Sequence, residues 1–440
     1  MVALARVLWR GDGNLLELLP AAAYHFKVGN LGYSRRSTVL FNDPDLVTEI
    51  MRDADGVFPK SDLMVSALEP LIGESIFVTD GEKWRRQRAM VDPAFSQLRI
   101  GHAFAAMRAA VDDYQQHLDA LADSGEPFSL DLAMGHLTAD IICRTVFSTS
   151  LNSEVAMEVF KDFTVFERSV AQVDIGRLIL APAWSEAPQP PEVLAACKRI
   201  RGHVGSLLDT HLAPDSAYND IASDVIAARD AETGQPFSRE ELIDQLGVFF
   251  LAGHETTASV LTWVFYILSQ QPETLATLRA EVEQVLKGSD ADFAQLRQLP
   301  FTRAVFKETL RLYPPITFMP RVALQPTQVG PRRLRKGALV MISPWTLHRH
   351  SDYWEAPHQF MPERFMPDRE SALHPGAYIP FGQGPHTCVG AGFAQAESSL
   401  IMSRLALRYD FEILEPQRVR PAARLTTRPA REIMCRVRRR

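Results

Sequence analysis

One cysteine stands in a glycine-rich segment immediately before a stretch with a helical pattern. The segment includes Phe381, Gly382, His386 and Cys388, and the helical pattern follows over 391–407. Backbone amides in such a turn, together with the positive end of a helix, stabilise a thiolate, and a thiolate is a ligand for iron. A lone cysteine before a helix is more often a buried structural residue. The metal-ligand interpretation therefore needs support from elsewhere in the chain.

A second group of reactive side chains lies in the segment Ala252–Thr257. The hydroxyl of Thr256 can donate back to the carbonyl of Ala252 and loosen the helix beside Gly253, which opens a pocket. Glu255 adds a titratable group that can move protons where bulk water is excluded. Taken alone, the same two residues are equally well explained as a solvated glutamate and a core threonine.

The element that carries this second group is predicted to be one long helix. Ser238 and Glu241 have the spacing of a capping box, and good helix formers continue to about Ser269. At 1.5 Å per residue this helix is roughly 48 Å long, enough to cross a whole domain. Gly247 and Gly253 lie inside it, and each costs up to about 1 kcal/mol relative to alanine. A functional reason for these glycines is therefore plausible.

Most of the remaining pattern is helical, and strands are few. Apolar residues recur at three- and four-residue spacing from Trp84 to about Arg279. Strand-like segments are short and lie near the two ends of the chain, at Ser37–Phe41, Ala338–Ile342 and Phe411–Leu414. No internal repeat divides the chain, so one continuous fold is the simpler interpretation.

The composition argues against several classes of function. A formal net charge of −6 disfavours nucleic acid as the main partner. The four cysteines include no C-x-x-C pair, which disfavours zinc or dithiol chemistry and fits a reducing cytosol. The leucine-rich N-terminal run is interrupted by Glu17, is shorter than the about 20 residues that span a bilayer, and lacks signal-peptide features. A cytoplasmic protein without a transmembrane segment is expected.

Four motifs together resemble the cytochrome P-450 family, the haem-thiolate monooxygenases, in their soluble bacterial type. The Cys388 segment resembles the haem-binding loop of that family. Three further motifs precede it in the family's order: Trp84 with Arg88, Glu308 with Arg311, and Pro362-Glu363-Arg364-Phe365. Each short pattern is weak alone, but the ordered set extends over nearly the whole chain.

The resemblance implies one domain over residues 1–440, mainly α with a small β-rich subdomain. The haem is expected between the long central helix and the cysteine loop. The β-rich part is expected near 25–60, 315–345 and 411–435, and the helical part over approximately 84–313 and 391–408.

The resemblance also implies roles for individual residues. Cys388 would be the axial ligand of the iron in haem b, and Glu255 and Thr256 would be catalytic in oxygen activation. The further cofactor contacts would be Trp84, Arg88, Arg321, His386, Phe381 and Gly382. The family more often has arginine at the position of His386, so a weaker and pH-sensitive contact with a haem propionate is expected there.

Two other groups follow from the same resemblance. Glu308, Arg311 and Arg364 would form a buried structural network, whereas without the resemblance Glu308 and Arg311 would be taken for a surface pair. The expected substrate pocket is mostly apolar, which favours a hydrophobic substrate, and it comprises Val248, Ala252, Ile316, Thr317, Phe318, Leu425 and Thr426.

The implied function is insertion of one oxygen atom of dioxygen into a hydrophobic small molecule, by hydroxylation or epoxidation. Electrons would come from a ferredoxin or flavodoxin-type donor with its reductase, using NAD(P)H only indirectly, and the enzyme would be a monomer. Lys83, Arg85 and Arg86 would form the docking surface for an acidic donor. Two alternatives stay open here: a haem-thiolate peroxygenase or isomerase, against which the Glu255–Thr256 pair argues, and a haem-binding sensor without turnover.

Overall fold

The computed structural model describes residues 14–31, 34–170, 182–184, 189–288, 291–423 and 426–440. Its helices, in chain order, are α1 (Pro44–Arg52), α2 (Asp62–Ile72), α3 (Gly81–Val91), α4 (Gln97–Ser124), α5 (Leu130–Phe147), α6 (Glu154–Val170), α7 (Pro191–His211), α8 (Ile221–Ala227), α9 (Arg239–Gln270), α10 (Pro272–Leu286), α11 (Pro300–Leu312), α12 (Pro344–Leu347), α13 (Pro367–Glu370) and α14 (Ala391–Arg408). Among the helices of the described residues, none combines the length and the apolar character that a membrane span requires.

The strands are short and form small sheets beside the helical part. They are β1 (Val28–Asn30), β2 (Thr38–Phe41), β3 (Phe128–Ser129), β4 (Met319–Val322), β5 (Thr327–Val329), β6 (Arg332–Leu334), β7 (Leu339–Ile342), β8 (Tyr409–Ile413), β9 (Pro421–Ala423), β10 (Thr427–Pro429) and β11 (Met434–Arg439).

Four of these strands form the largest sheet, in the order β1-β2-β7-β4. The β2–β7 pair is parallel and the other two pairs are antiparallel. A second sheet has the order β3-β11-β8, and β9 pairs with β10 and β5 with β6. The three strand-like segments seen in the sequence correspond to β2, β7 and β8, so the expected mainly helical fold with a small β-rich part is confirmed.

The long helix α9 begins and ends close to where its sequence indicates. Ser238 accepts a hydrogen bond from the Glu241 amide, and the Glu241 side chain accepts one from the Ser238 amide, so the capping box is complete. Gly253 has a packing reason, because a Cβ atom there would collide with Ile142 of α5. A Cβ atom on Gly247 would meet only the Leu71 carbonyl oxygen, at 3.9 Å. Close packing of α9 against α5 therefore accounts for Gly253, and a functional reason for Gly247 stays a prediction.

The predicted network of Glu308, Arg311 and Arg364 forms in the buried interior. Arg311 donates from Nε and Nη2 to the two carboxylate oxygens of Glu308, each at 2.7 Å, and both side chains are fully buried. The Arg364 guanidinium lies 3.5 Å from the same carboxylate. Arg311 also donates to the carbonyls of His348, Pro357 and Gln359. This network therefore ties α11 to the long irregular segment that precedes the cysteine loop.

We expect Glu308→Ala to lower the free energy of unfolding by about 3–5 kcal/mol, because it leaves two buried guanidinium groups without their carboxylate. Haem content should fall with it. Lys307→Ala is the matched control on the same helix, since Lys307 pairs with the partly exposed Glu370 and such pairs contribute at most about 1 kcal/mol. Thermal midpoints measure the stability of the two variants, and haem-to-protein ratios measure their haem content. Equal effects of the two substitutions would contradict a structural role for the network.

Candidate haem and oxygen site

The cysteine loop makes a tight turn that only glycine tolerates at two positions. Gly382 and Gly384 have φ angles of 75° and 73°, in the left-handed region. The Cys388 amide donates to the Phe381 carbonyl at 2.8 Å, which closes the loop. A Cβ atom on Gly384 would lie 2.5 Å from the carbonyl oxygen of Met51. Phe381 and Gly382, expected to bind a cofactor, therefore shape the loop that presents the cysteine.

The Cys388 thiol is accessible although it lies deep in the protein. Burial is the main influence on its pKa and raises it, while the Gly390 amide and the Arg88 guanidinium act to lower it. Cys388 is nevertheless exposed, so a ligand can reach it. A bound metal cation deprotonates a coordinating thiol outright. The surroundings of Cys388 therefore suit a sulfur that becomes a thiolate when a metal binds.

A second accessible surface lies on α9. Between residues 242 and 268 of this otherwise buried helix, the positions that are not fully buried are Ala252, Gly253, Thr256 and Tyr266. The first three share one stripe, one helical turn long. Thr256 donates from Oγ1 to the Ala252 carbonyl at 2.7 Å, as its sequence position predicts. The stripe of Ala252, Gly253 and Thr256 thus stays open within the core.

Aromatic and acidic groups surround the loop histidine. The imidazole of His386 packs on the indole of Trp84, with ring centroids 3.9 Å apart, and its Nε2 lies 3.7 Å from the Asp80 carboxylate. Burial, together with the positive charges of Lys60 and two arginines, lowers the pKa of His386 to about 3. The imidazole is therefore neutral near pH 7 in these surroundings, and its expected pH-sensitive contact with a haem propionate stays a prediction. Its Nδ1 atom is buried without a hydrogen-bond partner.

Buried cations outnumber acids beside this histidine. Arg321 is buried and its pKa is lowered by desolvation. The Lys60 ammonium donates to the carbonyls of Ile76 and Thr79, and desolvation lowers its pKa to about 7. Asp80 is the acid that most strongly raises the pKa values of Lys60 and Arg321. Buried charges need partners, so this group suits an anionic ligand such as the two propionates of a haem.

Two residues of this charged group were not predicted from the sequence. Lys60 and Asp80 belong to no motif, and the bond between the Lys60 amide and the Asp80 carboxylate joins segments 20 residues apart. Arg88, which was expected here, donates from Nη1 to the Thr387 carbonyl at 2.6 Å and from Nε to Asp92 at 2.5 Å. Arg88 therefore links α3 to the cysteine loop.

Glu255 is engaged in a buried ion pair that the sequence did not indicate. Its carboxylate accepts from Arg428 Nε at 2.6 Å and from Thr426 Oγ1 at 2.5 Å, and it is 3% exposed. Thr426, expected to line the substrate pocket, is buried and directs its hydroxyl at Glu255 instead. Leu425, the neighbouring expected pocket residue, lies outside the described residues.

The other expected pocket residues divide into two groups. Ile316 and Phe318 are half-buried, as residues lining an internal space are. Thr317 is buried and its hydroxyl lies 2.7 Å from that of Thr427, so it joins two segments of the chain. Val248 is also buried. The apolar character expected for this region is retained, but the hydroxyl of Thr317 faces β10.

The expected donor-docking charges of α3 are mostly paired within the chain. Arg86 forms ion pairs with Glu241 at 2.6 Å and Asp230 at 3.3 Å, and Lys83 pairs with Glu74. Arg86 is only partly exposed, and its ion pair with Glu241 joins α3 to the start of α9. Arg85 alone of the three is exposed without a salt bridge among the described residues.

Comparison with known proteins places these features in a family. Residues 6–436 match the family model described as Cytochrome P450. The crystal structure of the haem domain of cytochrome P450DA superimposes with a TM-score of 0.83 at 24% identity, covering 94% of this chain and 89% of that one. This likeness confirms the fold.

Several relatives extend over nearly the full chain. Cyclooctatin synthase of Streptomyces melanosporofaciens is 30% identical over 95% of this chain and 90% of its own length. Cyclooctat-9-en-7-ol 5-monooxygenase of the same organism is 31% identical, over 91% and 85%. Pentalenene oxygenase of Streptomyces avermitilis is 27% identical, over 98% and 94%.

We expect Gly384→Ala to reduce both stability and haem loading, because it adds a collision with Met51 to the cost of a left-handed alanine. Gly234→Ala is the matched control: its φ is 69° and nothing lies within 4 Å of its added Cβ, so only the conformational cost of about 1–2 kcal/mol applies. Thermal midpoint and haem-to-protein ratio compare the two variants. A Gly384→Ala protein as stable and as well loaded as Gly234→Ala would contradict the tight-turn interpretation.

Proposed function

The chain belongs to the cytochrome P450 family, and from that premise we propose that its substrate is a bulky cyclic terpenoid. It is a haem-thiolate monooxygenase, which inserts one oxygen atom of dioxygen into a hydrophobic small molecule. The substrate proposal rests on one observation: the two Streptomyces melanosporofaciens proteins and pentalenene oxygenase, whose names denote cyclic molecules, align over nearly the whole chain.

The residues around the open stripe of α9 are consistent with such a molecule. Ala252, Ile316 and Phe318 are apolar and only partly buried, and Thr256 of the stripe is a partly buried hydroxyl residue. A rigid hydrocarbon skeleton binds by apolar contact, and its lack of internal freedom lowers the entropy lost on binding. A long flexible chain would lose more conformational entropy on binding.

We propose that Cys388 is the protein ligand of the haem iron and that the cationic group beside His386 holds the haem carboxylates. A haem bound there supplies the binding and reductive activation of dioxygen. Arg88 keeps the cysteine loop in place through the Thr387 carbonyl. Lys60 and Arg321 offer buried positive charge to the carboxylates, and His386 can donate one hydrogen bond.

We propose that Thr256 controls proton delivery to oxygen and that Glu255 positions the helix around it. The Thr256 hydroxyl is accessible on the open stripe and can exchange the Ala252 carbonyl for a bound water or oxygen atom. Glu255, held by Arg428 and Thr426, joins α9 to β10 and to the residue that precedes it. That bond fixes the helix where Thr256 must act.

We also propose an electron donor, an oligomeric state and a cellular location for the enzyme. Electrons come from a ferredoxin or flavodoxin-type protein and its reductase, so NAD(P)H is used only indirectly. The enzyme acts as a monomer in the cytoplasm. Of the basic residues expected to dock the donor, Arg85 retains that role, because Lys83 and Arg86 are paired within the chain.

The substrate class is tested with a panel of cyclic sesquiterpene and diterpene hydrocarbons and alcohols, with linear fatty acids as the comparison. We expect the cyclic compounds to shift the haem iron from six- to five-coordinate and to give hydroxylated products with surrogate ferredoxin and reductase. Absorption spectra and mass spectrometry measure these outcomes. Oxidation of the fatty acids but of no cyclic terpenoid would overturn the proposal.

The axial ligand is tested by Cys388→Ser. The reduced carbonyl complex of the wild type should show the red-shifted Soret band of thiolate ligation, and the variant should lose it because a serine hydroxyl stays protonated. Cys197→Ser is the control, since burial raises the pKa of that thiol to about 11. Retention of the band in Cys388→Ser would rule out Cys388 as the ligand.

The role of Thr256 is tested by Thr256→Ala. Product formed per reduced cofactor should fall about tenfold or more, with the electrons recovered as hydrogen peroxide, because a proton-delivering hydroxyl is lost. Thr262→Ala is the matched control: Thr262 makes the same bond to the carbonyl four residues earlier, at 2.8 Å, but is buried. Unchanged coupling in Thr256→Ala would count against the role.

A further inference from the structure

Three separate parts of the chain meet at one buried threonine, Thr427 of β10. Its amide donates to the Pro315 carbonyl at 2.8 Å, and its Oγ1 donates to the Pro314 carbonyl at 2.6 Å. Its own carbonyl accepts from Ser259 Oγ at 2.8 Å and from Trp263 Nε1 at 2.9 Å, both on α9. Thr427 is fully buried. This residue therefore joins β10, the segment after α11 and the long helix α9.

The segment after α11 is held through its carbonyl groups. Pro314 and Pro315 are buried and have no amide hydrogen, so the carbonyl is the one backbone group of each that can form a hydrogen bond. Both carbonyls accept from Thr427. Because Thr427 gives its one hydroxyl hydrogen to Pro314, the Thr317 hydroxyl, 2.7 Å away, must donate to Thr427. Three hydrogen bonds thus connect Thr427 with residues 314–317.

Burial alternates along residues 316–318, which lead directly into β4. Thr317 is 4% exposed, whereas Ile316 and Phe318 are only partly buried. This alternation is that of an extended chain, in which successive side chains point to opposite sides. Since Thr317 faces Thr427, Ile316 and Phe318 lie on the opposite side. These two are the residues proposed above to line the substrate pocket.

The two α9 residues that hold the Thr427 carbonyl share a helix face with Thr256. Ser259 and Trp263 follow Thr256 by three and seven residues, and residues at these spacings lie on one side of a helix. Thr256 belongs to the open stripe, whereas Ser259 and Trp263 are buried. The Thr427 carbonyl is therefore bound to the same side of α9, about one to two turns beyond the open stripe.

We propose that Thr427 determines which carbon atom of the substrate is oxidised, by fixing the distance between residues 314–318 and the open stripe of α9. Thr427 is a positioning residue in this scheme, because it acts through Ile316 and Phe318 and does not touch the substrate. The inference rests on the proposed function, in which these two residues line the pocket and Thr256 acts on oxygen. A small displacement of Ile316 and Phe318 would change which C–H bond lies closest to the site of oxidation.

The hydroxyl of Thr427 can be removed without detaching β10 from α9. The amide and carbonyl bonds of Thr427 belong to the backbone, so they remain when its side chain is changed. Thr426 and Arg428, on either side of it, donate to Glu255 of α9. Loss of the hydroxyl alone is therefore expected to loosen residues 314–317 and to leave β10 in place.

The test compares the wild-type holoenzyme with Thr427→Val, Thr427→Ser and Thr145→Val. Valine keeps the shape of threonine but can neither donate to Pro314 nor accept from Thr317, whereas serine keeps the hydroxyl. Thr145 is the control, because its buried hydroxyl donates at 2.7 Å to the carbonyl of Ile141 in its own helix. Thr145→Val thus loses a buried hydrogen bond that joins no separate segments.

The probe is whichever panel compound the wild type oxidises with the highest coupling, whatever its class. Failure of the terpenoid proposal is therefore recorded separately. The measured quantity is the ratio of the minor positional isomers to the main product, determined by gas chromatography with mass spectrometry. Amide hydrogen exchange of residues 316–319 reports on the segment itself and requires no turnover.

We expect Thr427→Val to bind haem normally and to raise the ratio of minor isomers about three- to tenfold, the effect of one hydrogen bond on competing transition states. Thr427→Ser should restore the wild-type ratio, because it restores the hydroxyl. Thr145→Val should also keep that ratio, although its thermal midpoint falls. Amide exchange of residues 316–319 should become faster in Thr427→Val and in neither of the other variants.

Two results would overturn the inference. One is a wild-type isomer ratio in Thr427→Val, and the other is an equal change of that ratio in Thr427→Val and Thr145→Val, which would assign the effect to a general loss of stability. If Thr427→Val does not retain haem, Thr317→Val decides the question, since it removes the bond between the two hydroxyls and leaves the Pro314 bond in place. An unchanged isomer ratio in Thr317→Val would then be the contradicting result.

Discussion

The whole structure depends on keeping one sulfur atom inside the protein and yet open to a ligand. Burial alone raises the pKa of the Cys388 thiol, so the fold must supply positive charge and hydrogen-bond donors from several directions. The Gly390 amide, the Arg88 guanidinium and the N-terminus of α14 do so. The glycine turn, α3 and α14 therefore act together to stabilise negative charge on the Cys388 sulfur.

A second requirement is to limit the free-energy cost of burying positive charge, because the cationic group beside His386 is desolvated when the protein folds. Asp80 moderates this cost beside Lys60 and Arg321, and Arg88 is held by Asp92 and the Thr387 carbonyl. The lowered pKa values of Lys60 and Arg321 indicate that the balance is incomplete in the protein alone. If these residues hold the haem carboxylates as proposed, haem binding and folding stability are coupled through the same side chains.

The sequence predicts local features well and distant pairings poorly, for a physical reason. The Ser238 capping box and the bond from Thr256 to Ala252 connect residues three or four apart, which one helix places side by side. The pair of Glu255 with Arg428 joins residues 173 apart, and its existence depends on how β10 meets α9. Spacing within a sequence carries no such information, so Thr426 was expected at the pocket wall.

Two buried acids, Glu255 and Glu397, show why environment, and not residue type, determines how a carboxyl group is accommodated. Glu255 is paired with a guanidinium, whereas Glu397 of α14 is fully buried, which raises the pKa of its carboxyl well above the usual range. Proton donation and charge stabilisation require opposite surroundings, and enzymes separate such roles by giving two carboxyl groups different environments. Because α14 starts at the cysteine loop and packs on α9, the same helix that stabilises the thiolate also carries the neutral acid.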